Sequence, residues 1–179
     1  FAARHLKKLL KDEVSIDDNC SIGYYPSLYG VDLTISGYSL KKVKNLSEKI
    51  ETILKKNIYS KNDDSLERVV VRGGIKMNKT LAVAESCTGG LLGSRITEVE
   101  GSSAFFKGGV VSYSNESKID ILGVKRSTLK SFGAVSTQVA SEMAEKIRKL
   151  FSADYGLSIT GIAGPSGGTE SKPVGLVYI

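Results

Sequence analysis

Ser86 stands in the segment Ala84-Glu85-Ser86-Cys87-Thr88-Gly89-Gly90, where a small hydroxyl residue follows an apolar run and precedes a glycine pair. Its hydroxyl is a candidate nucleophile, and serine is inert near neutrality unless a base takes its proton. Histidine is nearly excluded as that base, because the chain has one histidine, His5, far away in sequence. Lys118, in the stretch Val111-Ser112-Tyr113-Ser114-Asn115-Glu116-Ser117-Lys118, is the best remaining candidate. A lysine acts as a base only when neutral, and at a reference pKa of about 10.4 roughly one in 2,500 is neutral at pH 7. Bringing it near 7 requires destabilising the ammonium by about 4–5 kcal/mol through burial and the positive end of a helix. Tyr113 is placed to orient the lysine or relay the proton. The amides around Thr88, Gly89 and Gly90 are candidates to hold an oxyanion.

Each of these residues also has a plainer reading. Ser86 can cap a helix, and Lys118 can be a surface lysine. Cys87 is either a second nucleophile or a small buried residue, and Glu85 can pair with a backbone amide or with Lys118 instead of touching substrate. A third stretch, Thr160-Gly161-Ile162-Ala163-Gly164-Pro165-Ser166-Gly167-Gly168-Thr169, offers backbone N–H groups suited to a phosphate or an oxyanion, or forms an ordinary surface turn. It is neither a GxxxxGK[ST] loop nor a GxGxxG turn. Thr160, Thr169 and Lys172 add donors for an anionic group, and Asn115 joins the candidate substrate contacts.

The elements that must position these residues follow from periodicity. Residues 1–12 read as the tail of a helix with Leu6, Leu9 and Leu10 on one side, and β-like segments 20–25 and 30–36 flank a turn at Pro26-Ser27. Residues 40–56 have the apolar stripe of an amphipathic helix. The polar run 61–64 is the expected boundary between a domain at 1–62 and another at 63–179. Residues 65–77 favour a helix, although Val69-Val70-Val71 has strand propensity. The expectation continues with strand 80–85, helix 89–99, strand 108–113, short helices 115–122 and 127–131, a long helix capped by Ser136, and strands 154–160 and 173–179. This alternation argues for an α/β domain with a mostly parallel sheet, in which ligands sit beyond the carboxyl ends of the strands. All three suspicious segments fall at such ends.

Composition sets bounds. The chain has 179 residues, 41% of them hydrophobic and 25% charged, as in ordinary globular proteins. No apolar run reaches the roughly 18–20 residues of a membrane span, and the basic, amphipathic N-terminal residues do not read as a secretory signal. Two cysteines, Cys20 and Cys87, make no disulfide framework. A reduced cytoplasmic setting is therefore expected. No metal site is read, since CxxC and HxxxH spacings are absent. The net charge of +6 comes mainly from residues 1–80, with 15 Lys/Arg against 10 Asp/Glu, and reads as solvated helix faces. The chain lacks an initial methionine and stops within a strand-like alternation, so further sequence is expected on both sides.

Taken together, AESCTGG at 84–90, GGVVSYSNESK at 108–118, LGV at 122–124, GAVS at 133–136 and TGIAGPSGGTESKPVG at 160–175 closely resemble the competence/damage-inducible CinA family. The likeness is to its C-terminal nicotinamide-nucleotide amidohydrolase domain, truncated here at its C-terminal end, and spans about residues 66–179. The resemblance implies hydrolysis of nicotinamide mononucleotide to nicotinic acid mononucleotide and ammonia, without a cofactor. It implies a Ser/Lys mechanism on Ser86 and Lys118 with Tyr113 as third member, a three-layer α/β/α fold around a mixed, mostly parallel sheet, and a homodimer. Residues 20–60, including GYYPSLYGVDLTIS, resemble the small α+β KH-like middle domain of longer members, the preceding residues being the end of a linker. The GxxG clamp of RNA-binding KH domains is absent, so nucleic acid is not an expected partner; salt-dependent retention of residues 1–62 on single strands would revive it. A non-catalytic nucleotide-sensing module is the alternative reading.

Overall fold

The computed structural model describes residues 2–14 and 19–179. Phe1, expected in the first helix, and residues 15–18 of the first domain lie outside the described residues. The chain divides into two compact units, Phe1–Leu66 and Glu67–Ile179, four residues beyond the boundary expected at 62/63.

The first unit contains α1 (Ala2–Glu13), β1 (Cys20–Pro26), β2 (Val31–Gly37) and α2 (Leu40–Leu54). The strands form an antiparallel pair with Cys20 opposite Gly37 and Pro26 opposite Val31. Alternation along β2 turns Val31, Leu33 and Ile35 to one side and Asp32, Thr34 and Ser36 to water. The helices supply Leu10, Leu46, Ile50 and Leu54 to the core against which Ile22, Leu33 and Ile35 pack.

The second unit is a mixed α/β structure. It runs α3 (Leu66–Lys76), β3 (Leu81–Glu85), α4 (Leu91–Thr97), β4 (Phe106–Val111), α5 (Asn115–Asp120), α6 (Arg126–Phe132), α7 (Thr137–Leu150), β5 (Tyr155–Gly161) and β6 (Val177–Tyr178). The sheet order is β4-β3-β5-β6. β3 runs parallel to β4 and β5, whereas β6 pairs antiparallel with β5. Every residue of β3 is buried, which explains its unbroken apolar run. Ala82 and Ala84 pack with Val139, Met143 and Ile147 of α7, while Leu81 and Val83 pack with Val71 of α3, Ile96 of α4 and Phe105.

Close approach fixes α7 on the sheet. Gly156 of β5 leaves room for the helix backbone, since a Cβ there would lie 2.1 Å from the Ala144 carbonyl oxygen. Ser158 then donates its hydroxyl to the Ala140 carbonyl at 2.7 Å. Ser136 caps α7, its hydroxyl oxygen accepting from the Val139 amide.

Among the boundaries that differ from expectation, three bear on the site. β4 ends at Val111 instead of 113, so Ser112 and Tyr113 belong to the loop before α5. α4 begins at Leu91 instead of 89, because Gly89 and Gly90 have φ of +61° and +103°, outside the right-handed helical region. The expected last strand, 173–179, is only Val177–Tyr178; Pro173 has no N–H to give, and Gly175 turns the chain at φ +90°.

Candidate active site

β3 delivers Ser86 to the carboxyl edge of the sheet, where its amide still donates to the Ile159 carbonyl at 2.9 Å. Ser114 caps α5, its hydroxyl accepting from the Ser117 amide at 3.0 Å, and α5 carries Lys118 inward. Lys118 is 1% exposed and Ser86 is 7% exposed. The amine Nζ lies 3.0 Å from Ser86 Oγ, 2.7 Å from the Ser112 carbonyl oxygen and 3.2 Å from the Tyr113 carbonyl oxygen.

Those three contacts constrain the proton arrangement. The carbonyls only accept, so a neutral amine commits its two N–H groups to Ser112 and Tyr113. Its lone pair is then left for the Ser86 hydroxyl, which donates to it. As an ammonium, Lys118 donates to all three oxygens. Burial pushes the Lys118 amine below the ordinary lysine range, while the nearby Cys87 works in the opposite direction. With the amine neutral, the Ser86 hydroxyl donates to its lone pair, which is the arrangement needed for nucleophilic attack without histidine.

Several sequence-derived assignments are corrected here. Glu85 points to the other face of the sheet and is 2% exposed. Its carboxylate accepts from the amides of Gly90 at 3.1 Å, Leu92 at 3.0 Å and Gly93 at 2.8 Å. It therefore anchors the start of α4 through backbone amides, the plainer of its readings from sequence. The same bonds remove the Gly90 amide from the oxyanion set, and the Gly89 amide is spent on the Ser86 carbonyl at 3.1 Å. Among the described residues, the Cys87 and Thr88 amides remain without an acceptor. These two directly follow the nucleophile. The phenol of Tyr113 is 72% exposed and makes no hydrogen bond to Lys118; its carbonyl orients the amine instead. Thr160 is buried and donates its hydroxyl to the Ala134 carbonyl at 2.9 Å, which makes it a support instead of an anion ligand.

The glycine loop folds back on itself. The Ile162 amide donates to the Leu176 carbonyl, and Thr169 and Lys172 exchange backbone bonds. Thr169 Oγ1 lies 3.3 Å from the Ser171 hydroxyl and accepts from the Lys172 amide. Lys172 donates its ammonium to the Phe132 and Val135 carbonyls, both at 2.7 Å, pinning the loop beside the start of α7 and correcting the expectation that this ammonium serves a ligand. Gly161 packs tightly, a Cβ there falling 3.1 Å from Cys87 Sγ. The amides of Gly164, Gly167 and Gly168 find no acceptor among the described residues. Asn115 is exposed at the first turn of α5. Among the described residues, no group of three or more His, Cys, Asp and Glu is gathered as a metal would require. No helix among them is long and apolar enough to cross a membrane.

Sequence reasoning missed Ser112, whose carbonyl makes the shortest contact to Lys118. A strand drawn two residues too long hid it, because carbonyls inside a strand are already committed to the ladder.

Comparison with known proteins places this geometry in context. The profile of the CinA C-terminal domain matches residues 63–179. The chain is 54% identical over 151 residues to a provisionally named competence-damage inducible protein of Thermoanaerobacter sp. (strain X514), covering 82% of this chain and 37% of that protein. It is 48% identical over 178 residues to a CinA-like protein of Thermotoga neapolitana, covering 97% of this chain and 43% of that one. The crystal structure of the competence/damage inducible protein CihA from Agrobacterium tumefaciens matches with a TM-score of 0.61 and 46% identity, over 63% of this chain and 68% of that chain. The chain thus spans less than half the length of these curated relatives.

Proposed function

The chain belongs to the CinA family through its C-terminal domain, and from that premise we propose that it is an amidohydrolase releasing ammonia from nicotinamide mononucleotide. The observation that carries this reading is the Lys118 amine at 3.0 Å from Ser86 Oγ, with two carbonyls taking its hydrogens. Ser86 Oγ attacks the carboxamide carbon as its proton passes to the neutral Lys118 amine. The Cys87 and Thr88 amides hold the oxyanion. The tetrahedral intermediate collapses, breaking the C–N bond, and the Lys118 ammonium returns its proton to the departing nitrogen as ammonia. Water, deprotonated by Lys118, then hydrolyses the acyl-serine to nicotinic acid mononucleotide. The free amides of Gly164, Gly167 and Gly168 suit the substrate phosphate.

The same proposal takes the second unit as a three-layer α/β/α domain and the first as KH-like, in a cytoplasmic homodimer. Support for pairing comes from the open edge of β4 and the exposed apolar Leu91 and Val111 beside the site. Ser86→Ala and Lys118→Ala are each expected to abolish ammonia release while leaving the circular dichroism and melting transition of a folded protein. Normal turnover in either variant rules the mechanism out. Calorimetric binding of the mononucleotide by the parent chain without ammonia release would instead make the pocket a sensor.

A further inference from the structure

Ser112 is 0% exposed, and its hydroxyl makes no hydrogen bond, although its carbonyl holds Lys118 at 2.7 Å. A buried hydroxyl without a partner is costly and uncommon, and a role in catalysis is one of the few explanations for it. The strand register supplies the second observation. Glu85 pairs with Val111 and the Ser112 amide donates to the Glu85 carbonyl, so the ladder continued by one residue sets Ser112 beside Ser86 on the Lys118 face.

Proton counting shows when this hydroxyl gains a partner. Before reaction a neutral Lys118 has two hydrogens and two carbonyl acceptors. Once the Ser86 O–H bond breaks and a third N–H forms on Lys118, the Oγ electron pair goes to the amide carbon. Ser86 Oγ becomes an ether-type oxygen of the tetrahedral intermediate, a poor acceptor, and the ammonium has one hydrogen too many for its two carbonyls until it passes that hydrogen to the departing nitrogen.

We propose that Ser112 is a positioning residue whose hydroxyl turns, by rotation about χ1, to accept that third hydrogen while Lys118 is charged. The inference rests on the amidohydrolase reading for its place in the cycle, but its effect on Lys118 is measurable without substrate. Few other charges act on the amine. Cys87 is the titratable group that influences it from the β3–α4 loop, Tyr113 lies in the β4–α5 loop, and Glu116 and Asp120 share α5. Glu85 is on the opposite face, β5 offers Ser158 and Thr160, and α7 contributes Val139, Ala140 and Met143 to this core.

The test is an NMR titration of Lys118 in lysine-labelled Ser86→Ala protein, where no serine oxygen at that position takes the third hydrogen, assigned with Lys118→Met and repeated with Ser112→Ala or Ser112→Thr added. Ser112→Ala is expected to lower the Lys118 pKa by about one unit or more, the worth of one hydrogen bond to a charged group. Ser112→Thr restores it. In parallel, with Ser86 intact, kcat for ammonia release falls about tenfold or more in Ser112→Ala, with KM changed less than about twofold, a split expected when only the charged state loses its partner. An unchanged Lys118 titration when Ser112→Ala is added to Ser86→Ala overturns the proposal, whatever the variant does to the melting temperature. If the parent chain releases no ammonia, the amidohydrolase reading falls while the titration still decides the role of Ser112.

Discussion

Glu85→Gln separates an anchoring carboxylate from a substrate contact. In the parent chain one carboxylate oxygen accepts from Gly90 and Leu92, and the other accepts from Gly93. Glutamine keeps one oxygen, so the best placement retains the first two bonds and turns an NH2 group toward the Gly93 amide. One charge-assisted bond of about 1.5–3 kcal/mol disappears, and two others fall to neutral strength, losing about 1 kcal/mol each. Cheaper burial of a neutral amide offsets part of this, leaving a net cost of about 3 kcal/mol. Because the chain has two units, global unfolding is a poor ruler. Amide hydrogen exchange is local: protection at Gly90, Leu92 and Gly93 is expected to fall about a hundredfold, with the Met143 amide in α7 as the unaffected reference. The turn that carries the Cys87 and Thr88 amides shifts with α4, so kcat drops several-fold while KM stays near its parent value. A rise in KM with exchange protection unchanged would refute the reasoning and return Glu85 to the substrate.

Two further expectations concern pH and packing. Burial holds the Lys118 pKa below its unfolded value of about 10.4, so the unfolded chain binds more protons between the two values and stability rises with pH across that window. The penalty is complete below the folded pKa; the stability difference between Lys118→Met and the parent, followed by denaturant titration against pH, should therefore shrink as pH rises. The ammonia rate should climb over the same depressed pKa, and a rate falling with pH there would contradict a neutral amine base. Gly156→Val places a Cβ 2.1 Å from the Ala144 carbonyl oxygen and 2.7 Å from Arg148 Cβ, atoms of a helix with little freedom to yield. A loss of about 3 kcal/mol or more is expected, measured as a lowered denaturation midpoint, and a parent-like midpoint would mean that α7 is not seated as described.

The meeting of Ser86 with Lys118 was readable because both follow apolar runs that end at the same side of a parallel sheet, and because the scarcity of imidazole left few other bases. What stayed hidden depended on main-chain atoms. Side-chain types say nothing of which amides around Thr88, Gly89 and Gly90 are already bonded, so Gly89 and Gly90 stood beside Thr88 among the candidate oxyanion donors. Glu85 looked like chemistry because carboxylates often are; its spacing of five to eight residues before Gly90, Leu92 and Gly93, the unpaired start of a helix, was the available sign of an anchor. Thr160 was misread for a related reason, since its hydroxyl answers a carbonyl, Ala134, distant in sequence.

The alternation of β3 also works as insulation. Glu85 and Ser86 are adjacent in the chain, yet the pleat sends the acid to α4 and the hydroxyl to Lys118. A slip of one residue would exchange them, and a carboxylate facing that amine would lock it as a cation. Gly109, where a Cβ would lie 2.9 Å from the Val83 carbonyl oxygen, and the irregularity at Leu81/Ala82 mark the seam that forbids such a slip. The uncharged lysine that the proposed chemistry requires thus depends on how the strands beneath it are paired.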